Sequence, residues 1–152
     1  MKSWTYKNKT IDSIDEMPEN TIGFIYIIRQ LSTNKKYIGR KLISKASSKT
    51  VNGKKKKTRK ESDWKDYWSS SPKIKEWIKE NGTDDFTKEI LLFVSSKSEL
   101  MYAEEYALYM TNALLDDTWL NDNIRAKVMR SWFTKNSQEF HNKINELKIK
   151  IS

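Results

Sequence analysis

Three apolar runs set the frame of this chain. Ile22 to Ile28 is almost wholly apolar and β-rich, the pattern of a strand buried on both faces. The turn-forming string "STNKK" follows, and Tyr37 to Ile43 reads as a second strand antiparallel to the first. A third run, "FTKEILLFV", covers Phe86–Val94. Helical spacing takes over elsewhere. In "SSSPKIKEWIKENG", Ser71 stands at the cap, Pro72 at the first helical position and Gly82 at the end, with Ile74, Trp77 and Ile78 on one stripe. Ser96 and Glu99 match a capping box for a helix expected to reach about Leu115. Residues 125–152 repeat apolar positions at helical intervals: Val128, Trp132 and Phe133, then Phe140, Ile144, Leu147 and Ile151. Residues 1–22 read as a lead-in with a small acidic patch, in which Pro18 interrupts regular structure. The 152 residues are the size of one domain of α+β class, with the boundary expected at 124 and a basic helical extension over 125–152.

Charge narrows the choice of partner. The formal net charge is +9, which calls for a polyanion. No apolar run approaches the ~18 residues of a membrane span, and no basic amphipathic helix has a strong apolar face, so a membrane is not expected. With no cysteine and a single histidine, His141, thiolate zinc sites and His-based triads are excluded within one chain. A metal would need oxygen ligands, which points to magnesium or a similar hard cation. From Arg29 to Lys60 there are thirteen Lys or Arg and no acid. The centre of this run, "NGKKKKTRK", opens on the turn signal Asn52-Gly53. Residues 44–62 therefore read as a basic loop, either simply solvated or touching nucleic acid. Its place directly after the second strand favours contact, through Lys36, Lys54, Lys55, Lys56, Lys57, Arg59 and Lys60.

One carboxylate is out of place. On a wheel of 100° per residue, Leu100, Leu108, Ala107, Met101 and Leu115 all fall within about 60° of Glu104. Glu105 lies about 100° away, at the stripe's edge. A carboxylate facing a core is costly unless it is paired with a cation, so Glu104 is either an internal ion pair or a metal ligand.

The strings Phe24-Ile25-Tyr26 and Tyr37-Ile38-Gly39 resemble the paired motifs of the GIY-YIG nucleases. The longer order "YIGRK…KKESDWKDYWSSS…EIL…EL…E…LLDD…N" is similar to a phage-encoded branch of homing-type endonucleases and covers residues 4 to 125. The resemblance implies a three-stranded antiparallel sheet flanked by helices, with a C-terminal helical tail outside it. It implies hydrolysis of DNA phosphodiester bonds with Mg2+, or another hard divalent cation such as Mn2+, held by Glu104. It implies that Tyr26 or Tyr37 activates the nucleophile and that Asn121 organises the site. Tyr67 corresponds to a further family position. Two departures stand out: Phe24 replaces the first glycine, with Gly23 before it, and Ser47 and Ser48 lie where the family arginine belongs. Arg40 and Lys41 are the expected substitutes.

On this reading the partner is double-stranded DNA and the setting is the cytoplasm of a bacterial host. Target specificity comes from the basic loop, the tail, a homodimer or a partner protein. Homing, exclusion of a rival genome and genome processing are all open roles. Arg40, Lys41 and Lys36 are expected to lower the pKa of the two phenols. A catalytically lapsed DNA-binding module on the same scaffold is the alternative.

Overall fold

The computed structural model describes residues 2–125, 127–133 and 137–151; within these, nothing is said of the side chains of 46–49, 56–59 and 137. Two strands, β1 (Trp4–Tyr6) and β2 (Lys9–Ile11), open the chain. They are followed by β3 (Gly23–Gln30), β4 (Lys36–Leu42), β5 (Ser44–Val51) and β6 (Lys54–Glu61). Helix α1 (Pro72–Asn81), strand β7 (Phe86–Val94), helix α2 (Lys97–Met110) and helix α3 (Ser137–Ile151) complete the order.

The main sheet runs β2-β1-β7-β3-β4. Its centre is the expected antiparallel trio, with β3 between β7 and β4. The lead-in adds to it. β1 joins β7 in parallel and β2 folds back on β1, so the sheet is mixed and five-stranded. Trp4 anchors this addition: its side chain is buried and its indole Nε1 donates to Trp64 O at 2.6 Å. Three-residue strands are too short to leave a periodic signal, and only tertiary packing makes them strands.

The basic stretch 44–62 is not a loop. β5 and β6 form a separate antiparallel hairpin, closed by Asn52 (φ 51°) and Gly53 (φ 76°). Two positive φ values in a two-residue turn match the twist of the flanking strands. Hydrophobic alternation is missing from the lysine-rich arm, which is why the pattern reads as loop.

β3 is buried on both faces except at Arg29, and the core divides across it. One face carries Phe24, Tyr26 and Ile28 against Trp64, Ile74, Ile78 and Phe86. The other carries Ile25, Ile27 and Ile38 against Leu100, Ala103, Ala107 and Leu108 of α2. Phe140, Ile144 and Leu147 of α3 belong to this second cluster, so the C-terminal helix shares the core of the residues before the boundary expected at 124. Helix α2 begins as expected, with Ser96 Oγ accepting from Glu99 N at 3.1 Å. It ends at Met110, short of Leu115, where Asn112 takes φ 53° and Leu115 is 86% exposed.

The exposed edge of β4 is covered by the segment after α2. Lys36 N donates to Thr118 O at 2.7 Å and Leu120 N to Lys36 O at 2.8 Å. A row of edge amides that would otherwise invite pairing with another chain is thereby satisfied.

Candidate active site

Strand alternation decides which side chains meet. Tyr26 pairs with Gly39, Ile28 with Tyr37 and Phe24 with Lys41, so Tyr26, Tyr37 and Lys41 share one face of the sheet. Arg40 and Lys36 point to the opposite face, toward α2 and the covering segment. Gly39 has a steric role. A β-carbon there would collide with Oη and Cζ of Tyr26, so only glycine lets the phenol cross β4. The Tyr26 ring lies 6.3 Å from that of Tyr37 and 6.1 Å from that of Tyr67.

Residues 62–71 deliver the rest of this face. Ser62 Oγ donates to Leu42 O at 2.6 Å, Trp64 is buried, and Lys88 Nζ donates to Lys65 O at 3.2 Å. The Lys88 ammonium is held between rings, 4.3 Å from the Trp4 centroid and 4.7 Å from that of Trp68. Burial lowers its pKa to about 8, with Asp66 opposing. This pinned segment sets Tyr67 beside Tyr26 and buries Ser69, whose Oγ accepts from Ser71 N at 3.0 Å and whose side chain acts against the rise in pKa of both Tyr26 and Tyr37. Ser69 and Lys88 carry no sequence signal of a site role. Ser69 is one serine among three, and Lys88 is one lysine in a chain rich in them.

The electrostatics overturn one expectation. Burial raises the Tyr26 pKa well above the ordinary phenol value, with Tyr67 and Tyr37 adding to it and Ser69 opposing. Burial also raises Tyr37, Ser69 opposes, and the Glu104 charge adds to the rise. Both phenols are therefore neutral at neutral pH, not cation-activated. Arg40 and Lys36 are on the other face, and the Lys36 ammonium lies over the Trp119 ring at 4.9 Å. Lys41 shares the tyrosine face but is spoken for. It forms an ion pair with Asp63 at 2.6 Å and sits 4.0 Å from the Tyr67 centroid.

Glu104 is half-buried on α2, flanking the buried line of Leu100, Ala103, Ala107 and Leu108. Desolvation raises its pKa, Arg40 pulls it down, and Glu105 pushes it up. Glu104, Glu105 and Arg40 line one cavity of about 390 Å³. Asn121 closes the end of β4. Its Oδ1 accepts from Ile38 N at 3.0 Å and its Nδ2 donates to Ile38 O at 2.7 Å. The amide thus acts as one more residue of an adjoining strand and fixes the backbone between Tyr37 and Gly39.

The arrangement places a pair of adjoining phenols on one face of the β3–β4 hairpin and a guanidinium, with a half-buried carboxylate lining the same cavity, on the other. The family model described as "Putative endonuclease segE, GIY-YIG domain" matches residues 4–124. The chain belongs to this GIY-YIG family. No curated protein and no solved structure gives a significant match. The matched GIY-YIG domain runs from β1 to the segment that covers β4, and it contains Tyr26, Tyr37, Arg40, Tyr67, Glu104 and Asn121. Such a domain is of a nuclease family, with DNA as the implied substrate.

Among the described residues no group of three or more His, Asp or Glu side chains could hold a metal. The donor set still fits magnesium, which keeps several waters and takes one or two carboxylates together with substrate phosphates. No helix among the described residues is long and apolar enough to cross a membrane. Of the basic hairpin, Lys54, Lys55 and Lys60 are exposed. The side chains of Lys56, Lys57 and Arg59 lie outside the described residues.

Proposed function

We propose that this protein is a divalent-metal-dependent endonuclease that hydrolyses phosphodiester bonds in double-stranded DNA. One observation carries the reading. Inside the matched domain, a desolvated carboxylate, Glu104, faces Arg40 while its field reaches the half-buried phenol of Tyr37. A carboxylate kept partly out of water without an ion pair is stabilised by a cation that arrives with the substrate.

Glu104 would hold the metal, with Glu105 on the same cavity wall, and a bound Mg2+ or Mn2+ would polarise the phosphate and the leaving oxygen. Tyr37 is the phenol that meets the attacking water. Being neutral, it orients that water by hydrogen bonding, and Ser69 and Tyr26 fix its position from behind. Arg40 offsets the charge that grows on the phosphate oxygens and takes the place of the family arginine. Lys41 and Tyr67 support the tyrosine face. Asn121 holds the backbone of β4 so that Tyr37 and Arg40 project to opposite sides of one strand end. The β5–β6 hairpin supplies cations for DNA backbone contacts. A phage origin, with a homing or rival-genome role, fits this reading.

The test is cleavage of matched duplex DNA and RNA substrates with Mg2+ and with EDTA. Cleavage of DNA that needs the metal is the expected result. Binding without cleavage in both Mg2+ and Mn2+ would make the chain a lapsed DNA-binding module, and preference for RNA would reassign the substrate.

A further inference from the structure

The cavity beside Glu104 has a second wall that does not come from the matched domain. Arg125 and Lys127, just beyond it, line the same 390 Å³ space as Arg40, Glu104 and Glu105. The volume lies in the ~300–1,000 Å³ range of small-ligand sites, room for a nucleotide unit and not only an ion. Ile124 fixes the direction of this wall, because its half-buried side chain packs on the core cluster of α2 and α3. Asn121, clamped on Ile38, holds the chain three residues earlier. Arg125 and Lys127 are exposed.

Five ionisable groups thus face one cavity. Among the described residues, none of the three cations comes within 4 Å of an acidic partner, although two carboxylates line the same cavity. Elsewhere lysines near acids do close such pairs, as Lys73 does with Asp122 at 3.0 Å. A concave site lined by three cations and two carboxylates matches a ligand that brings a phosphate together with a cation.

We infer that Arg125 and Lys127, beside Arg40, form a phosphate subsite that grips a nucleic-acid phosphate next to the one attacked. The subsite deepens the nuclease reading and rests on it. It makes the residues following the family module part of substrate binding, and it ties the path of the chain toward α3 to DNA contact.

The experiment is a fluorescence-anisotropy titration of a labelled DNA duplex across a salt series in EDTA. It compares the wild type, Arg125→Gln, Lys127→Gln, the double variant, and a charge-matched control, Lys9→Gln with Lys79→Gln. Each phosphate contact contributes about 0.9 to the slope of log affinity against log salt. The double variant is expected to flatten the slope by roughly 1 to 2 units and each single variant by about 1 or less, with the control unchanged. Melting curves verify that every variant folds, and the single variants keep the test open should the double variant not. An unchanged slope, or an equal loss in the control, overturns the subsite. Inorganic phosphate at constant ionic strength is expected not to displace the duplex. Displacement that disappears in the double variant would assign the site to free phosphate and overturn the nucleic-acid assignment. Because binding is read without metal, failure to cleave DNA would sink the nuclease reading and leave this slope intact.

Discussion

Gly39 stands opposite Tyr26 on the neighbouring strand, and the Tyr26 phenol fills the space that a β-carbon on Gly39 would occupy. The glycine of the second motif is thus a requirement of the tyrosine in the first. Gly39→Ala must push the ring of a residue that is only 1% exposed, inside a packed cluster. Such overpacking costs typically 1–3 kcal/mol, about that much loss of stability on urea unfolding. Gly53→Ala has open space around it but φ 76°, so its expected cost is only about 1 kcal/mol and is purely conformational. Equal, negligible effects at both glycines would contradict the steric role of Gly39.

Asn121 makes two hydrogen bonds to the backbone of Ile38. Asn121→Ala removes both and leaves edge groups of β4 without partners. A loss of about 1–3 kcal/mol in unfolding free energy is expected. Asn121→Asp keeps the acceptor for Ile38 N but turns an anion toward Ile38 O, so it is expected to be no better than alanine. Full stability in Asn121→Ala would mean that the covering segment holds itself.

Two titrations with opposite signs are expected in the stability profile. The raised pKa values of Tyr26 and Tyr37 mean that the folded state keeps protons that the unfolded state releases above about pH 10. Their contribution is complete below that pH and is lost as pH climbs toward the folded values. Lys88 acts the other way. Its folded pKa of about 8 lies below the unfolded value of about 10.4, so stability relative to Lys88→Met is expected to rise between those limits. The rise is on the order of 3 kcal/mol. Urea unfolding of both proteins at pH 7, 9 and 10.5 checks this, and a flat difference would show that the ammonium is not desolvated.

The apolar strings made β3 and β7 legible, because eight and nine residues largely buried on both faces leave an unmistakable run, and the turn signal after β3 marked β4. Capping residues marked the starts of α1 and α2. Glu104 was legible because its charge contradicts the spacing around it. What stayed hidden depends on distant packing. β1 and β2 are strands only because Trp4 is buried against Trp64. Residues 44–62 look like a loop because lysines replace the alternation a hairpin normally shows. The phenols' acidity could not be read from neighbours in sequence: Arg40 is three residues from Tyr37 along the chain yet faces the other side of the sheet. Ser69, which acts on the pKa of both tyrosines, sits in a run of identical residues.

The β5–β6 hairpin offers a direct test of DNA contact. Lys54 and Lys55 stand at its tip, exposed, opposite Val51 and Thr50. Replacing Lys54 through Lys57 with serine is expected to flatten the salt slope of duplex binding by roughly 2 to 4 units. The melting temperature should hardly move, since exposed charges far from caps and core contribute little. An unchanged slope would mean that the hairpin points away from DNA.

The chemistry turns on a few side chains. Tyr37→Phe is expected to lower the cleavage rate by about 10²-fold, the scale of a misplaced nucleophile. Tyr26→Phe, one layer deeper, is expected to cost less, with single-turnover rates separating the two. Wild-type rates in both would demote the phenols to packing.

Nicking of supercoiled plasmid in Mg2+ by the wild type, Glu104→Gln and Glu105→Gln, each with its fold verified by circular dichroism, is the most direct measurement. The wild type is expected to nick, Glu105→Gln to keep most of that rate, and Glu104→Gln to lose it without unfolding. A wild type that leaves the plasmid intact, or a Glu104→Gln variant that cuts as well as the wild type, would contradict the assignment of Glu104 as the metal-holding carboxylate of a nuclease.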